Sequence, residues 1–158
     1  FMLYSYFWRM ETQTYTTKSE DETIELGRKF AENLKKGDVV LFYGDIGVGK
    51  TEFIKGICKY FNVEEIVTSP TFTIINQYNG TKDGENIAIY HIDLYRVKEK
   101  KELLEIGFEE CLYSADAIKL VEWAENSFEI VKFVNYRISI KADFENVNER
   151  LIEIASEN

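Results

Sequence analysis

The chain has few of the residues that build cross-linked scaffolds, and its basic residues are outnumbered by acidic ones. It holds two cysteines, Cys58 and Cys111, which lie far apart and form no C-x-x-C pair, so neither a disulfide framework nor a zinc site is indicated. Its 19 Lys and Arg face 28 Asp and Glu, which gives a net charge of −9. Because nucleic-acid binding depends on basic side chains that neutralise phosphates, this balance argues against a protein that holds nucleic acid by itself. The sparse cysteines fit a reducing, cytoplasmic setting.

Long hydrophobic runs are also missing. An apolar stretch at residues 1–8 is far shorter than the roughly 20 residues that span a bilayer, and no basic segment leads it, so we expect no membrane anchor. Phe1 precedes Met2, and a second methionine, Met10, opens a plausible start. We therefore interpret residues 1–14 as an N-terminal extension, with residues 1–9 an added or mis-started segment. Residues 15–158 are predicted to form one domain without repeats or low-complexity linkers.

What the chain does contain is a phosphate-binding pattern. Residues 44–51 read GDIGVGKT and match G-x-x-x-x-G-K-[ST], after a short apolar run at 39–43 and before a helical one. The glycines let successive backbone N–H groups turn inward around phosphate oxygens at a helix N-terminus. Lys50 can reach the β- and γ-phosphates, and the Thr51 hydroxyl is placed to ligate Mg²⁺. The predicted nucleotide contacts from this segment are Asp45, Ile46, Gly47, Val48, Gly49, Lys50, Thr51 and Glu52.

Hydrophobic spacing predicts an α/β domain. A capping box of Ser19 and Glu22 begins a helix of about fifteen residues. The predicted strands are 38–43, 72–78, 86–90, 117–121, 135–142 and 149–155, with a hairpin turn at 79–84, and the later helices are 50–61, 99–106 and 124–131. Together, these helices and strands predict a three-layer P-loop NTPase fold. Its mixed, mainly parallel sheet is flanked by helices and carries antiparallel strands at the C-terminal end.

A P-loop needs an acidic partner, because Mg²⁺ between phosphate oxygens is completed by a carboxylate at the end of a neighbouring strand. Two acids qualify. Glu122 follows a buried apolar run that Lys119 interrupts, and Asp93 ends another strand. In open α/β sheets the ligand lies beyond the carboxyl ends of the strands, so both acids can face the loop. The pattern leaves open which acid ligates the metal and which orients water.

The single proline, Pro70, stands just before a predicted strand and fixes the angle at which the chain enters it. The turn would present Thr71 where nucleotide switches place a hydroxyl that senses the γ-phosphate and Mg²⁺. His91 lies next to apolar residues and is interpreted as a packed or capped histidine. Trp123 is most simply a core residue.

Four segments together resemble the TsaE (also called YjeE) family of small bacterial P-loop ATPases. They are the loop at 44–51, Thr-Ser-Pro-Thr-Phe at 68–72, Tyr-His-Ile-Asp-Leu-Tyr-Arg at 90–96 and Leu-Val-Glu-Trp at 120–123, and the likeness runs from about residue 15 to the C-terminus. The resemblance implies an ATPase that uses ATP and Mg²⁺ and works with TsaB and TsaD to install threonylcarbamoyl on a tRNA adenosine beside the anticodon. Contact with tRNA would then be indirect, as the acidic composition favours.

The resemblance also implies roles for single residues. Lys50 and Thr51 hold phosphates and Mg²⁺, Asp93 and Glu122 are the acids of hydrolysis and metal binding, and Thr71 belongs to the switch. Glu52 departs from the family, which commonly carries Thr or Ser there, and an acid beside the phosphates should weaken nucleotide binding.

Other functions remain as alternatives. A small-molecule kinase shares the loop but usually has an Arg-rich lid, whereas residues 96–110 mix basic side chains with five Glu. A GTPase would need a guanine-reading segment, and Thr-Lys-Asp-Gly at 81–84 fails at its last position. A non-hydrolytic, nucleotide-dependent adaptor is the remaining alternative.

Overall fold

A computed structural model describes residues 11–70 and 72–157, and within them the chain forms seven strands, four α-helices and short 3₁₀ turns. In chain order the main elements are β1 (Glu11–Thr17), α1 (Glu20–Phe30), β2 (Val39–Tyr43), α2 (Lys50–Tyr60), β3 (Ile75–Lys82), β4 (Glu85–Asp93), α3 (Lys100–Glu105), α4 (Phe108–Leu112), β5 (Ala117–Glu122), β6 (Tyr136–Ala142) and β7 (Arg150–Ser156). The 3₁₀ turns are Ala31–Asn33 and Ala124–Asn126.

All seven strands join one sheet in the order β1-β7-β6-β2-β5-β4-β3. The four central strands, β6, β2, β5 and β4, are parallel to one another. Antiparallel strands extend both edges, with β3 on β4 and with β7 and β1 beyond β6. The predicted α/β fold, with a mixed sheet and antiparallel C-terminal strands, is confirmed.

Helices cover both faces of the sheet, as the alternation in β2 shows. Val40 and Phe42 join the core beneath α1 and α2, whereas Val39 and Leu41 join the core beneath α3 and α4. Successive side chains of a strand point to opposite faces, so a continuous apolar strand is what a sheet buried on both sides requires. The three layers predicted from the sequence are therefore present.

The helices α1 and α2 touch backbone to backbone. Of the predicted capping box, the Ser19 half is present, since its hydroxyl accepts from the Glu22 N–H at 3.1 Å; the Glu22 carboxylate accepts from the Lys18 N–H at 2.6 Å, one residue before the cap. Farther along, a Cβ on Gly27 would lie 2.1 Å from the Phe53 carbonyl oxygen, and one on Gly56 would lie 1.9 Å from that of Ile24. Only glycine allows this approach, which fixes the helix that follows the phosphate loop.

Three local predictions need correction. Residues 11–14, assigned to an extension, belong to β1, whose residues pair in antiparallel register with β7; the remainder, residues 1–10, lies outside the described part. The helix predicted over 124–131 is only the 3₁₀ turn Ala124–Asn126, because Phe128 and Glu129 take positive φ values of 51° and 64°. The hairpin turn is only Asp83 and Gly84, with φ of 51° and 80°, so β3 and β4 extend farther toward it.

No helix of the described ranges has the length and apolar character that crossing a lipid bilayer would require.

Candidate nucleotide-binding site

The phosphate-loop pattern lies between β2 and α2. Gly44 has φ of 146°, and a Cβ there would lie 2.5 Å from the Ile140 carbonyl oxygen, so the position excludes a side chain. Gly49 is the N-cap of α2 and has φ of 111°. No N-cap side chain accepts a hydrogen bond from the first turn of this helix, so its first N–H groups face the loop without a capping partner. A helix start of this kind suits an anion.

Lys50 is held at the centre of the loop although it is only 6% exposed. Its ammonium donates to the Gly44 carbonyl at 2.6 Å and lies 3.7 Å from Glu122 Oε1. The same ammonium lies 4.8 Å from the centroid of the Trp123 ring. A carbonyl, a carboxylate and an aromatic face thus surround a positive charge in a poorly solvated place.

The two predicted acids end neighbouring parallel strands. Asp93 is the last residue of β4 and Glu122 the last of β5, and the two are Cα partners in the register. Both lie on the α1–α2 side of the sheet, because they alternate with Ile92 and Val121 of the opposite core. The sheet therefore places two carboxylates side by side at the edge where the loop begins.

The surroundings of the two carboxylates differ. Glu122 is 3% exposed, and its Oε2 accepts from His91 Nε2 at 2.8 Å. Asp93 is half-buried and accepts from the Tyr95 N–H at 2.9 Å. Burial raises the pKa of Asp93 above its ordinary value; the Tyr95 N–H opposes this, and the negative charge of Glu122 reinforces it. Burial and the nearby Glu122 charge thus make ionisation of Asp93 more costly than it is for a carboxyl in water.

A cavity of about 290 Å³ lies between the loop and the acids. The predicted site residues that line it are Ile46, Gly47, Gly49, Lys50, Thr51, Glu52, Asp93 and Glu122. Two others are placed differently: Asp45 is exposed, and Val48 is buried against the other side of the loop, where a smaller cavity lies. Thr71 lies outside the described residues.

Several residues that the sequence analysis did not assign to the site also line the cavity. The Ser69 hydroxyl lies 3.0 Å from Thr51 Oγ1. Tyr95 and Arg96 follow Asp93 into it, and the Tyr95 ring lies 4.9 Å from that of Trp123. Trp123, interpreted as core, is instead half-buried at the cavity wall, with φ of 60°. The sequence feature that could have assigned Ser69 to the site is its position directly before Pro70, next to the predicted switch residue Thr71.

The donor set suits a magnesium nucleotide. Thr51, Asp93 and Glu122 offer oxygen ligands, which Mg²⁺ prefers, and the loop offers N–H groups and a lysine for phosphates. Within residues 11–70 and 72–157, no three His, Cys, Asp or Glu side chains are grouped to hold a metal ion. Mg²⁺ commonly keeps water or phosphate oxygens among its ligands, so two carboxylates and a hydroxyl are a fitting share for the protein.

Comparisons with known proteins identify relatives of this chain. A family model described as "Threonylcarbamoyl adenosine biosynthesis protein TsaE" matches residues 17–152. The tRNA threonylcarbamoyladenosine biosynthesis protein TsaE of Rickettsia typhi is 38% identical over 145 residues, covering 91% of this chain and 95% of its own length. The protein of that name from Bacillus subtilis is 38% identical over 115 residues, covering 73% of this chain and 68% of its own.

Two further matches bear on length and fold. The TsaE protein of Rickettsia conorii is 44% identical over 112 residues, and the match spans 70% of this chain but only 61% of that relative. Among solved structures, the crystal structure of Bacillus subtilis YdiB superimposes with a TM-score of 0.75 at 30% identity, covering 94% of this chain and 88% of that one.

Proposed function

This chain belongs to the TsaE family, which is involved in tRNA threonylcarbamoyladenosine biosynthesis, and on that premise we propose that it is a Mg²⁺-dependent ATPase. The observation that carries the proposal is the convergence of Lys50, Thr51, Asp93 and Glu122 on one cavity beside a helix N-terminus. Transfer of a phosphoryl group to water needs a loop that binds the phosphates, ligands for a cation and acidic side chains, and candidates for all three are present here.

The loop and Lys50 would bind the phosphates. The N–H groups at the start of α2 and the Lys50 ammonium both provide positive charge next to the phosphate loop. Lys50 would exchange part of its contact with the Gly44 carbonyl for a phosphate oxygen, which is the stronger partner because it is charged. Glu52 lines the cavity and lies 3.7 Å from Lys55, which partly compensates its charge. We therefore expect Glu52 to weaken nucleotide binding without abolishing it.

Thr51, Asp93 and Glu122 would hold the cation and orient the attacking water. The Thr51 hydroxyl is already oriented by Ser69, and both Glu122 oxygens have positively polarised neighbours. Asp93 is the more accessible of the two acids. Bound Mg²⁺ would supply neutralisation of the charge that develops on the transferred phosphoryl group.

Further parts of the proposal concern partners and setting. We propose that ATP hydrolysis supports turnover of an assembly with TsaB and TsaD in the cytoplasm, and that tRNA is contacted through these partners. The net charge of −9 supports indirect contact, since a protein of this charge gains little from phosphate neutralisation. The kinase alternative is disfavoured because, of residues 96–110, only Arg96 lines the cavity, whereas the buried Leu103 and Phe108 pack the rest onto the sheet.

The test is ATP hydrolysis by the purified chain, with and without the two partner proteins. Lys50→Ala should lower turnover by at least about a hundredfold, because Lys50 supplies charge to the transferred phosphoryl group. Lys59→Ala is the matched control, an exposed lysine on the same helix, and should behave as the unaltered chain does. Undiminished turnover in Lys50→Ala would refute the ATPase proposal. Tight ADP binding without hydrolysis, even with both partners, would favour the adaptor.

A further inference from the structure

His91 lies directly behind the site and makes a contact that packing alone does not require. It is 0% exposed, and it is on the same face of β4 as Asp93, two residues along. Its Nε2 lies 2.8 Å from Glu122 Oε2. A carboxylate can only accept, so Nε2 carries the hydrogen whether the imidazole is neutral or charged. The direction of this hydrogen bond is therefore fixed.

The other ring nitrogen leads to a neighbouring strand. His91 Nδ1 lies 3.5 Å from the hydroxyl of Tyr78, a residue of β3 that is 3% exposed. That hydroxyl donates to the Thr68 carbonyl at 3.0 Å and accepts from the Thr68 N–H at 3.2 Å. Both backbone polar groups of Thr68 are thus bound by one side chain, which fixes the segment just before Ser69.

The two ends of this chain of contacts meet in the cavity. At one end, Ser69 follows Thr68 and its hydroxyl lies 3.0 Å from Thr51 Oγ1. At the other, the second oxygen of Glu122 lies 3.7 Å from the Lys50 ammonium. A displacement of the Thr68 backbone would therefore be transmitted to Glu122 through the buried side chains of Tyr78 and His91.

Without the His91 donor, Glu122 would have a competing arrangement. Its carboxylate would be free to turn fully onto Lys50, which is poorly solvated and only 3.7 Å away. Opposite charges attract strongly in such a place, and the closer pair would take from Lys50 the charge that phosphates need. A hydrogen bond to Oε2 from behind opposes that rotation and keeps the other oxygen toward the cavity.

We propose that His91 is a positioning residue that holds the Glu122 carboxylate in its working orientation, and that Tyr78 links this orientation to the segment at Thr68. The proposal rests on the proposed hydrolysis of ATP at Lys50 and Glu122 and deepens it. It concerns orientation alone, and the contact of His91 Nε2 with Glu122 has the same direction in either protonation state of the imidazole. Because the Tyr78 hydrogen is given to the Thr68 carbonyl, the 3.5 Å contact of Nδ1 with Tyr78 links the two side chains by packing when Nδ1 carries no hydrogen.

A matched pair of substitutions tests the role of His91. His91→Gln keeps an N–H donor at about the position of Nε2, whereas His91→Met has a similar size and shape and no donor. We expect His91→Met to lower kcat by about 10- to 100-fold with KM for ATP changed by less than about threefold, and His91→Gln to recover most of kcat. Unchanged kcat in His91→Met, or equal loss in both variants, would overturn the proposal.

Tyr78→Phe tests the link, since it removes one oxygen and leaves the ring. We expect a smaller loss of kcat than in His91→Met, and no further loss when the two changes are combined, because Tyr78 acts through His91. Losses that multiply as independent effects would refute the link. Thermal unfolding identifies any variant that fails to fold, and in that event Tyr78→Phe carries the test.

Crystal structures of the His91→Gln and His91→Met proteins give a readout that needs no activity. The proposal expects Glu122 Oε2 to stay bonded to residue 91 in the glutamine variant and Glu122 to turn toward Lys50 in the methionine variant. An unmoved Glu122 in both would overturn it. If the unaltered chain shows no Lys50-dependent hydrolysis, the proposed function fails on that measurement, and these structures still decide whether His91 orients Glu122.

Discussion

The contact between α1 and α2 can be tested by adding one methyl group. In Gly27→Ala, the new Cβ would lie 2.1 Å from the Phe53 carbonyl oxygen, whereas ordinary contact begins at 3.4 Å. The two helices would have to part by about 1.3 Å, the difference between these distances. The obstacle is backbone, which cannot rotate away as a flexible side chain can.

Two opposing terms set the expected size of the effect. Alanine gains roughly 1 kcal/mol over glycine in helix propensity. Overpacking costs about 1–3 kcal/mol, and the upper end applies here because neither partner can yield. The expected net loss in the free energy of unfolding is therefore about 2 kcal/mol. For a chain of this size that corresponds to a Tm lower by roughly 4–8 °C.

Urea unfolding followed by circular dichroism measures this loss. Lys29→Ala, at an exposed position of the same helix, is the control and should stay within about 0.5 kcal/mol of the unaltered chain. ADP affinity should fall in Gly27→Ala but not in the control, because α2 begins at Lys50 and moves as a unit with Phe53. A Gly27→Ala protein as stable as the unaltered chain, or more stable, would show that propensity dominates and would refute this account of the helix contact.

Other predictions concern charge. Glu122→Gln should lower ATP hydrolysis at least about a hundredfold while ADP affinity, measured by calorimetry, changes less; loss of ADP binding alone would count against its role. Glu52→Thr should tighten ADP binding by about several-fold, since it removes a negative charge beside the phosphates, and weaker binding would contradict that reasoning. Burial lowers the pKa of Lys119, so the unfolded chain holds that proton more tightly and stability should gain as pH rises from the lowered pKa toward the ordinary value. Lys119→Met should lack this gain in urea unfolding between about pH 7 and about pH 10, and parallel pH profiles of the two proteins would refute it. Finally, the isolated chain should bind tRNA weakly at physiological salt, and a tight, salt-sensitive gel shift would overturn indirect contact.

Local patterns account for the parts of the site that could be predicted. The loop at 44–51 is recognisable because its chemistry depends on neighbours in sequence, and Asp93 and Glu122 are recognisable because each ends an apolar strand. The contact of His91 with Glu122 joins residues 31 positions apart, so no local pattern reports it. The parallel register of β4 and β5 creates that contact, and only the folded sheet specifies the register.

Errors in the element predictions have the same origin. The residues of β1 are almost all exposed and give no hydrophobic alternation, so only their pairing with β7 makes them a strand. Residues 124–131 have helical spacing, but the positive φ values at Phe128 and Glu129 end the turn early. Trp123 was interpreted as core because large aromatic residues usually are, whereas its left-handed backbone turns the ring toward Lys50.

The pairing of β4 with β5 also determines where the chain tolerates a change of length. Ala88 to Asp93 pair one for one with Ala117 to Glu122. Deleting a single residue inside either strand would turn the side chains beyond it to the opposite face and separate the two acids. The turn at Asp83 and Gly84 is exposed and has no such constraint. The turn precedes β4, whereas Asp93 ends it, so insertions there should leave the candidate site intact, and a tag or a reporter domain in that turn would label the protein at the far end of the strand.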